Sequence, residues 1–518
     1  MTETSELVQD AEWQRLDRRM LLVYPLRDLI RFLPVLIGLV IAGSASGGVD
    51  VRWQLLGIGI PVTMGLLRYA TTSFRISEGR VELKRGLVDR HLLSTRIERV
   101  RTVELTASPF HRVLGLTTVR IGTGTASTND EDAIDLDGLP APRARALREA
   151  LLRASGPVGA PDRPEGAAAP APPPVRVVLR LDPRWARFAP LTSAGVVLAA
   201  GVIGVGSQIL DGLGAWDQLN VDVAVDEPSR EWLLVALLLL AGVAVLVSAL
   251  AVAGYLMTNW DFTLSHSAAD HSWHLRRGLT TTRETSLDDE RVSGVSIGEP
   301  LGLRLSGGGR LSAIVTGLDR KQQGSSVLVP PAPREVVEGV AGEVLGSHAP
   351  VSAPLRPHGP RARTRRWSRA LMVPLVITVG VVVGEVFGGW TPWALVPALL
   401  LVAAAAALAA DRARSLGNAL VGRHFVVRSG SLFRQREALE TSAVIGWNLR
   451  SSWFQRRAGL TMLVATTAGG SQAVTAIDVP EPDALEVATA AVPGLVEQFV
   501  VATLPVAGTP RPRSPQPE

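Results

Sequence analysis

The strongest constraint on this chain is a set of three paired apolar stretches, each pair followed by a longer polar block. The pairs cover residues 29–45 and 51–67, 188–210 and 232–257, and 370–390 and 393–410. A helix crosses a bilayer in about 20 residues, because backbone groups in lipid need internal hydrogen bonds. We therefore predict three helical hairpins and six crossings. The first pair is shorter and carries Arg31, Pro34 and Pro61, so a re-entrant first hairpin is the alternative.

Arginines beside these stretches predict the orientation in the membrane. They lie on the side of the polar blocks and include Arg27, Arg31, Arg68, Arg412, Arg414 and the arginines of 361–369. The opposite loop 211–231 is acidic. Arginine-rich flanks stay on the cytoplasmic side, so the polar blocks and both termini are predicted to be cytoplasmic in a multi-pass protein of the cell membrane. Residues 1–14 are polar and acidic, so no signal peptide is expected.

Composition narrows the class of protein. With 47% hydrophobic residues and a mean hydropathy of +0.22, the chain is too apolar for one soluble enzyme. Its 53 Lys and Arg against 48 Asp and Glu favour an anionic lipid surface over nucleic acid as a partner. The absence of cysteine excludes disulfides, thiol catalysis and Cys-based zinc sites. No P-loop, H-E-x-x-H or kinase signature occurs, so no enzymatic activity, cofactor or metal is expected.

The three polar blocks share landmarks. When they are aligned on Gly86, Gly278 and Gly430, alternating apolar residues precede each glycine, which indicates a strand that ends in a hairpin turn. A Gly-Leu pair follows at the same spacing at Gly115 and Gly459, and at a shorter spacing at Gly302 in the second block. Each block ends with a proline before a helical pattern, at Pro142, Pro333 and Pro482, because proline is tolerated in a first helical turn. Each block therefore predicts several strands and one closing helix.

The first and third blocks agree in more detail. Phe110, Arg112, Gly115 and Thr117 fall on Phe454, Arg456, Gly459 and Thr461 without a gap. For Arg112 and Arg456 a shared structural role, bonding to a carboxylate or carbonyl, is favoured over ligand binding. The second block has no aromatic-Arg pair before Gly302 and continues with Ser306-Gly307-Gly308-Gly309. It is predicted to be a degenerate copy.

These motifs resemble a known family. Lys84-Arg85-Gly86-Leu87, the segment STRIERV at 94–100 and the segment SPFHRVLGLTTV at 108–119 are similar to the bacterial membrane-flanked pleckstrin-homology (PH) domain. The resemblance implies a bent seven-stranded β-sandwich closed by a C-terminal helix. It also implies a helical hairpin before each domain, and it carries no enzymatic residues to this chain. The expected fold class is three repeats of a transmembrane hairpin followed by a PH-like β-sandwich.

The expected domain boundaries follow from these patterns. They are an N-terminal segment 1–28, a first hairpin 29–67, a first PH-like module 68–155, a Pro/Ala-rich linker 156–175, a second hairpin 188–257, a second module 258–346, a linker with a basic run 347–369, a third hairpin 370–410, a third module 411–503 and a disordered tail 504–518. Proline-rich segments such as 156–175 cannot form a packed core.

Basic residues beside the first hairpin turn are the best binding candidates. They are Arg80, Lys84, Arg85 and Arg90 in the first block and Arg428, Arg434 and Arg436 in the third. Each cation near an anionic leaflet contributes about 1 kcal/mol, although the same pattern is also typical of a solvated strand face.

The remaining motifs favour structural interpretations over functional ones. The G-x-S-x-G pattern at 294–298 falls inside a predicted strand, which opposes a nucleophile elbow, and His266, His271 and His274 are interpreted as a surface cluster. Glu385 lies near a helix end, so an interfacial position is favoured over a proton relay.

The preferred function is a non-enzymatic scaffold at the membrane surface that binds anionic inner-leaflet lipids, with a protein partner or self-association. Envelope homeostasis is a process such a protein could serve. The alternative is a six-span transporter or lipid-handling protein gated by its β domains.

Overall fold

The computed structural model describes residues 13–28, 32, 51–77, 79–86, 91–97, 100, 102–122, 134–154, 175–212, 230–269, 271–316, 326–469 and 472–494. The chain forms two compact units. One comprises the residues up to His348, and the other comprises Ala349–Thr467 and the residues from Gln472 onward.

The first β domain contains two antiparallel sheets. Its elements are β1 (Gln14–Arg15), α1 (20–28), α2 (Val51–Thr71), β2 (Ser73–Ser77), β3 (Arg80–Arg85), β4 (His91–Arg96), β5 (Thr102–Ala107), α3 (Pro109–Val113), β6 (Leu116–Gly122), β7 (Ile134–Pro140) and α4 (Ala141–Ala154). One sheet has the order β1-β2-β3-β4, and β5, β6 and β7 pair in sequence. Counting β1, the domain has the seven strands that the PH resemblance implies.

The second β domain repeats this order. Its elements are β8 (Arg176–Arg180), a 3₁₀ helix (Pro183–Leu191), α5 (Ser193–Gly212), α6 (Arg230–Asn259), β9 (Thr263–Ser267), β10 (Ser272–Arg277), β11 (Thr282–Asp288), β12 (Val292–Pro300), α7 (Leu301–Leu305), β13 (Gly308–Val315), β14 (Val327–Pro333) and α8 (Arg334–Val344). Strands β8 to β11 join β5 to β7 in one sheet of order β7-β6-β5-β11-β10-β9-β8. The first two domains thus share a continuous sheet.

The second unit holds the third β domain. Its elements are α9 (Ala349–Ser352), α10 (Gly359–Gly388), α11 (Leu395–Ser415), β15 (Gly417–Val421), β16 (His424–Ser429), β17 (Phe433–Glu440), β18 (Gly446–Arg450), α12 (Trp453–Ala458), β19 (Leu460–Thr466), β20 (Ala473–Pro480) and α13 (Glu481–Ala491). Strands β15, β16 and β17 pair in sequence, and so do β18, β19 and β20.

The first domain shows how the strand pattern builds the core. Phe74, Ile76, Val81 and Leu83 point inward from β2 and β3 and are buried, because alternate residues of a strand face the same side. Met20 and other apolar residues of α1 complete this core. Burying each such side chain contributes about 1.5–3 kcal/mol, so α1 is part of the domain and not a separate tail.

The predicted hairpin turns are confirmed at the three aligned glycines. Gly86, Gly278 and Gly430 have φ values of +113°, +111° and +97°, a region that L side chains rarely adopt. At Gly430 a Cβ would also lie 2.1 Å from the carbonyl oxygen of Phe433. Glycine is therefore required at this turn.

The predicted domain boundaries are wrong in one respect, because residues of each β domain precede the apolar helices that interrupt it. Strand β1 pairs with β2, and β8 pairs with β9. In the second unit, Arg356 forms an antiparallel bridge with Asn418 of β15. The segments 1–28 and 347–369 were expected to lie outside the modules. Instead, Gln14 and Arg15 pair with β2, and Arg356 bridges to β15. Helix α1 contributes to the first core, and the basic run 361–369 lies within α10.

Three helices are long and apolar enough to cross a membrane in the described part of the chain: Leu237–Asn259, Gly359–Gly388 and Pro392–Ser415. Helices α2 and α5 coincide with two more predicted crossings. The predicted start at residue 188 is early, because Phe188 is buried within the 3₁₀ helix and α5 begins at Ser193. All but one residue of the apolar stretch 29–45, all but one residue of the linker 156–175 and the tail 504–518 lie outside the described residues.

Candidate functional site

Strand register divides the basic residues that are binding candidates in the first domain into two groups. Only Thr72 separates α2 from β2. Lys84 lies opposite Ser73 at that end of the sheet, whereas Arg80 lies opposite Ser77 at the other end. The two ends are about 13 Å apart at about 3.3 Å per residue. Lys84 and its neighbour Arg85 therefore lie at the end of the sheet where α2 enters, and Arg80 lies away from it.

The two ends differ in their surroundings. The Lys84 Nζ lies 5.8 Å from the ring centroid of Trp13, and the Arg75 guanidinium lies 4.9 Å from the same ring. Such contacts stabilise a cation beside an aromatic face. At the far end, Arg80 lies directly opposite Arg96, and both are exposed. Arg90 lies outside the described residues.

The basic residues of the third domain have intramolecular partners. Arg428 donates to the carbonyls of Ser415 (3.0 Å) and Arg414 (3.3 Å) at the end of α11, where helix carbonyls lack internal partners and cations are favourable. Arg434 donates to Asp411 at 3.0 Å. Arg436 donates to backbone carbonyls of the α9 region, including that of Ala353 at 2.8 Å. These three cations hold the domain to its helices, and their predicted role in binding stays a prediction.

The glycine turns of the second and third domains also bond to the preceding apolar helix. The amide of Gly278 donates to the carbonyl of Trp260 at 2.8 Å, and the amide of Leu279 donates to Met257 at 2.8 Å. In the third domain, the Ser415 hydroxyl donates to the carbonyl of Gly430. Both turns therefore hydrogen-bond to the end of a helix that is a candidate membrane span, where backbone groups lack partners within the helix. The sequence pattern predicts the turns but not this contact.

A buried carboxylate joins α10 to the third domain. Asp478 of β20 is fully buried and has a φ of +59°. Its Oδ1 accepts from Gln455 at 2.8 Å and lies 3.2 Å from the Nε of Arg365, and its Oδ2 lies 2.6 Å from Arg366. A buried charge needs such partners, because desolvation otherwise costs several kcal/mol. We call Asp478 with Arg365, Arg366 and Gln455 the α10 lock.

The first domain has a comparable arrangement around Asp137 of β7. His111 lies 3.3 Å from this carboxylate, Thr118 donates to it, and Arg27 of α1 lies 3.5 Å away. Burial alone would raise the pKa of Asp137, but the close contact with His111, the hydrogen bond from Thr118 and the charge of Arg27 outweigh it and lower the pKa to about 2. The carboxylate is therefore ionised at neutral pH and ties α1 to the sheet.

Sequence reasoning missed both carboxylates, although a signal was present. His111 follows Gly86 at the same spacing as Gln455 follows Gly430, and each contacts the buried carboxylate of its domain. The second domain has buried Leu303 at that position, and its β14 contains no carboxylate. In this specific sense the second domain differs from the other two.

One predicted landmark needs correction. Gly302 is the predicted counterpart of Gly115 and Gly459, but it lies inside α7 against the carbonyl of Leu191. The true counterpart is Gly307, which has a φ of +72° and follows Gly278 at the spacing seen in the other two blocks. Gly115, Gly307 and Gly459 each accept the first amide of the closing helix. The spacing is therefore constant, and Arg304 aligns with Arg112 and Arg456.

Arg112 and Arg456 donate to backbone carbonyls, in line with the predicted structural role. Arg112 Nη1 donates to Leu279 in the glycine turn of the second domain. Arg456 Nη1 donates to Ser451 at 3.2 Å. The same repeat position thus forms a bond to another domain in the first domain and a bond within the domain in the third.

The G-x-S-x-G serine and the three histidines form no shared site. Ser296 lies in the middle of β12, not at a strand-to-helix turn. His266 bonds to Asp289 at 2.9 Å, while His274 bonds to Ser286 at 3.0 Å. Within the described residues, no group of three His, Asp or Glu side chains is arranged to hold a metal.

A scan against protein-family models matches two regions of the chain. The model of the bacterial PH domain matches residues 28–155 and 374–491. Both matched regions are bacterial PH domains. They coincide with the two domains that carry a buried carboxylate, and the central β domain is not matched. Searches of the curated proteins and of the solved structures gave no match. Bacterial PH domains together with long apolar helices are compatible with a membrane-associated protein.

Proposed function

We propose that this chain is a non-enzymatic scaffold that holds its β domains in a fixed orientation against the cytoplasmic surface of the cell membrane. The observation that carries the proposal is the α10 lock. Helix α10 is continuous from Arg365 and Arg366, which bind buried Asp478, into an apolar segment long enough to cross a bilayer. A domain clamped in this way cannot swing freely on a tether.

Strand pairing supports placing each β domain on one side of the membrane. Strands β8 and β9 pair although α5 and α6 lie between them, and Arg356 bridges to Asn418 across α10 and α11. Paired strands share one aqueous compartment, so the helices between them cross an even number of times. Arginines at these helix ends favour the cytoplasm.

The lipid partner we propose is an anionic headgroup at Lys84 and Arg85. Both lie at the end of the first sheet where α2 enters. Each contributes about 1 kcal/mol near an anionic surface, which corresponds to about a fivefold change in affinity per residue. The transporter alternative is less well supported, because the candidate span Leu237–Asn259 contains no ionisable Asp, Glu, Lys or Arg.

Native mass spectrometry of the full chain tests this proposal. Chains are extracted from vesicles of phosphatidylglycerol and phosphatidylcholine in equal amounts, and retained lipids are counted. We expect preferential retention of phosphatidylglycerol and a loss of up to about 30-fold in its affinity for K84Q/R85Q. The matched control R80Q/R96Q removes two cations from the far end of the same sheet and is expected to change nothing. Equal loss in both variants, or no lipid preference in the wild type, would refute the lipid assignment.

A further inference from the structure

The interface between the first two β domains is a strand pair with a defined register. Strand β5 of the first domain pairs antiparallel with β11 of the second, from Ala107 opposite Thr282 to Val103 opposite Ser286. An ion pair between Glu104 and Arg283 at 2.5 Å crosses the same edge. Backbone pairing of exposed edges is a general mode of association between sheets.

Repeat spacing identifies the equivalents of these strands elsewhere. Strand β5 begins at Thr102 after Gly86, and β18 begins at the equivalent position after Gly430. Strands β4 and β11 likewise end at equivalent positions after Gly86 and Gly278. The third domain therefore carries the counterpart of β5, and the first domain carries the counterpart of β11.

Both counterparts end their sheets. Within the described residues, β18 pairs only with β19, and β4 pairs only with β3. Open strand edges with unpaired backbone groups are templates for pairing with another chain.

Apolar side chains at these two open edges are exposed to solvent. Leu105 of β5 is 4% exposed, whereas its counterpart Leu449 of β18 is 38% exposed. Phe454, the counterpart of the partly buried Phe110, is 69% exposed. On the other open edge, Leu92 of β4 is 58% exposed. Apolar side chains that are buried or partly buried in the first domain are therefore exposed at the equivalent positions of the third.

We propose that β18 of one copy pairs antiparallel with β4 of a second copy, in the register of the β5–β11 pair. In the β5–β11 pair, Glu284 lies opposite Leu105. Leu92 follows Gly86 at the spacing at which Glu284 follows Gly278, and Leu449 follows Gly430 at the spacing at which Leu105 follows Gly86. The same register therefore places Leu92 opposite Leu449. It also places Ser94 opposite Trp447. Two exposed leucines thus become direct cross-strand neighbours, an arrangement that stabilises sheets.

This contact joins different surfaces of the two copies. Such heterologous interfaces continue from copy to copy and form rings or open rows. Because every copy has the same orientation in one membrane, the rows would lie along its surface. The inference concerns assembly and holds whether or not Lys84 and Arg85 bind lipid.

Cysteine cross-linking in membranes tests the inference, because the natural chain contains no cysteine. Two full-length chains with tags of different size, one carrying L92C and the other L449C, are produced together and oxidised mildly. We expect the mixed disulfide dimer to dominate. Replacing L449C by N448C moves the thiol to the opposite face of the strand and should lower the yield at least tenfold.

The other outcomes would overturn the inference. Dimers of L92C with itself or of L449C with itself would indicate a symmetric interface. Absence of the mixed dimer would exclude the β4–β18 pair in membranes. Cross-linking confined to single chains that carry both L92C and L449C would show closure within one molecule.

Mass photometry of the otherwise unchanged chain in detergent provides an independent measurement. We expect species of two, three and more copies as concentration rises. L449R should shift these towards the monomer, whereas L485R, at an equally exposed leucine of α13, should not. A wild type that stays monomeric at all concentrations would contradict the proposal.

Discussion

Neutralising the buried carboxylate of the α10 lock should release α10 from the third domain. The change is D478N, which keeps the shape of the side chain. It also keeps a residue type that tolerates the left-handed backbone, which Asp478 adopts at a φ of +59°. The substitution therefore removes a charge with little added strain.

The expected free-energy cost of D478N follows from the two arginines that lose their carboxylate partner. The side chains of Arg365 and Arg366 are each only 14% exposed, and the side chain of Asp478 is 1% exposed. Removing one partner of a buried pair costs about 3–5 kcal/mol, because the remaining charge is desolvated and unpaired. Since about 1.4 kcal/mol corresponds to a factor of ten, opening of this region should become at least about 100-fold more frequent.

Hydrogen exchange measured by mass spectrometry on the full chain reports this opening. We expect faster exchange in the first turns of α10 and in β20, with peptides of β15 and β16 less affected. The matched control R423Q removes an ion pair with Glu440 in which Arg423 is 83% exposed. Surface pairs contribute about 0–1 kcal/mol, so its exchange should match the wild type.

A double-variant cycle completes the test. In an R366Q background, D478N should cost less than it does alone, because one of the stranded charges is already gone. Exchange in D478N within threefold of the wild type, or identical costs in both backgrounds, would refute the reasoning.

Two further predictions concern the bacterial PH domains. The pKa of Asp137 is lowered to about 2 in the folded chain, so its stabilisation is present above about pH 4 and is lost as pH falls towards 2; melting temperatures at pH 5 and pH 2.5 should therefore differ more in the wild type than in D137N, and equal differences would contradict this. G430A should destabilise the third domain by more than about 1 kcal/mol, because φ is +97° and the new Cβ would lie 2.1 Å from the Phe433 carbonyl. The control G446A has open space and should melt like the wild type.

Periodic and conformational signals made much of the fold predictable. The glycines at the turns require positive φ, and alternating residues such as Val81 and Leu83 mark a buried strand face. The closing helices follow their prolines as expected. These features depend on local sequence, so one chain reveals them.

Long-range pairing was not predictable from the same signals. Strand β1 is too short to show a period, and it pairs with β2, which lies on the far side of α2 in the chain. The α10 lock joins Arg365 to Asp478, and neither residue is unusual in its local context. The Gly302 assignment failed because Gly302, like Gly115 and Gly459, is followed by leucine, whereas Gly307 is not. The constant spacing from the turn glycine and the positive φ identify Gly307 instead.

The strand that precedes each hairpin sets an order of events during synthesis. Gln14 and Arg15 leave the ribosome well before Ser73 and Phe74, with which they pair. Helix α2 and the apolar stretch before it are made in between. The sheet of the first β domain therefore cannot close until these residues have been synthesised and, in the membrane arrangement that we propose, inserted into the bilayer. If insertion stalled, Leu16 and Met20, which the finished domain buries, would stay exposed to chaperones and proteases.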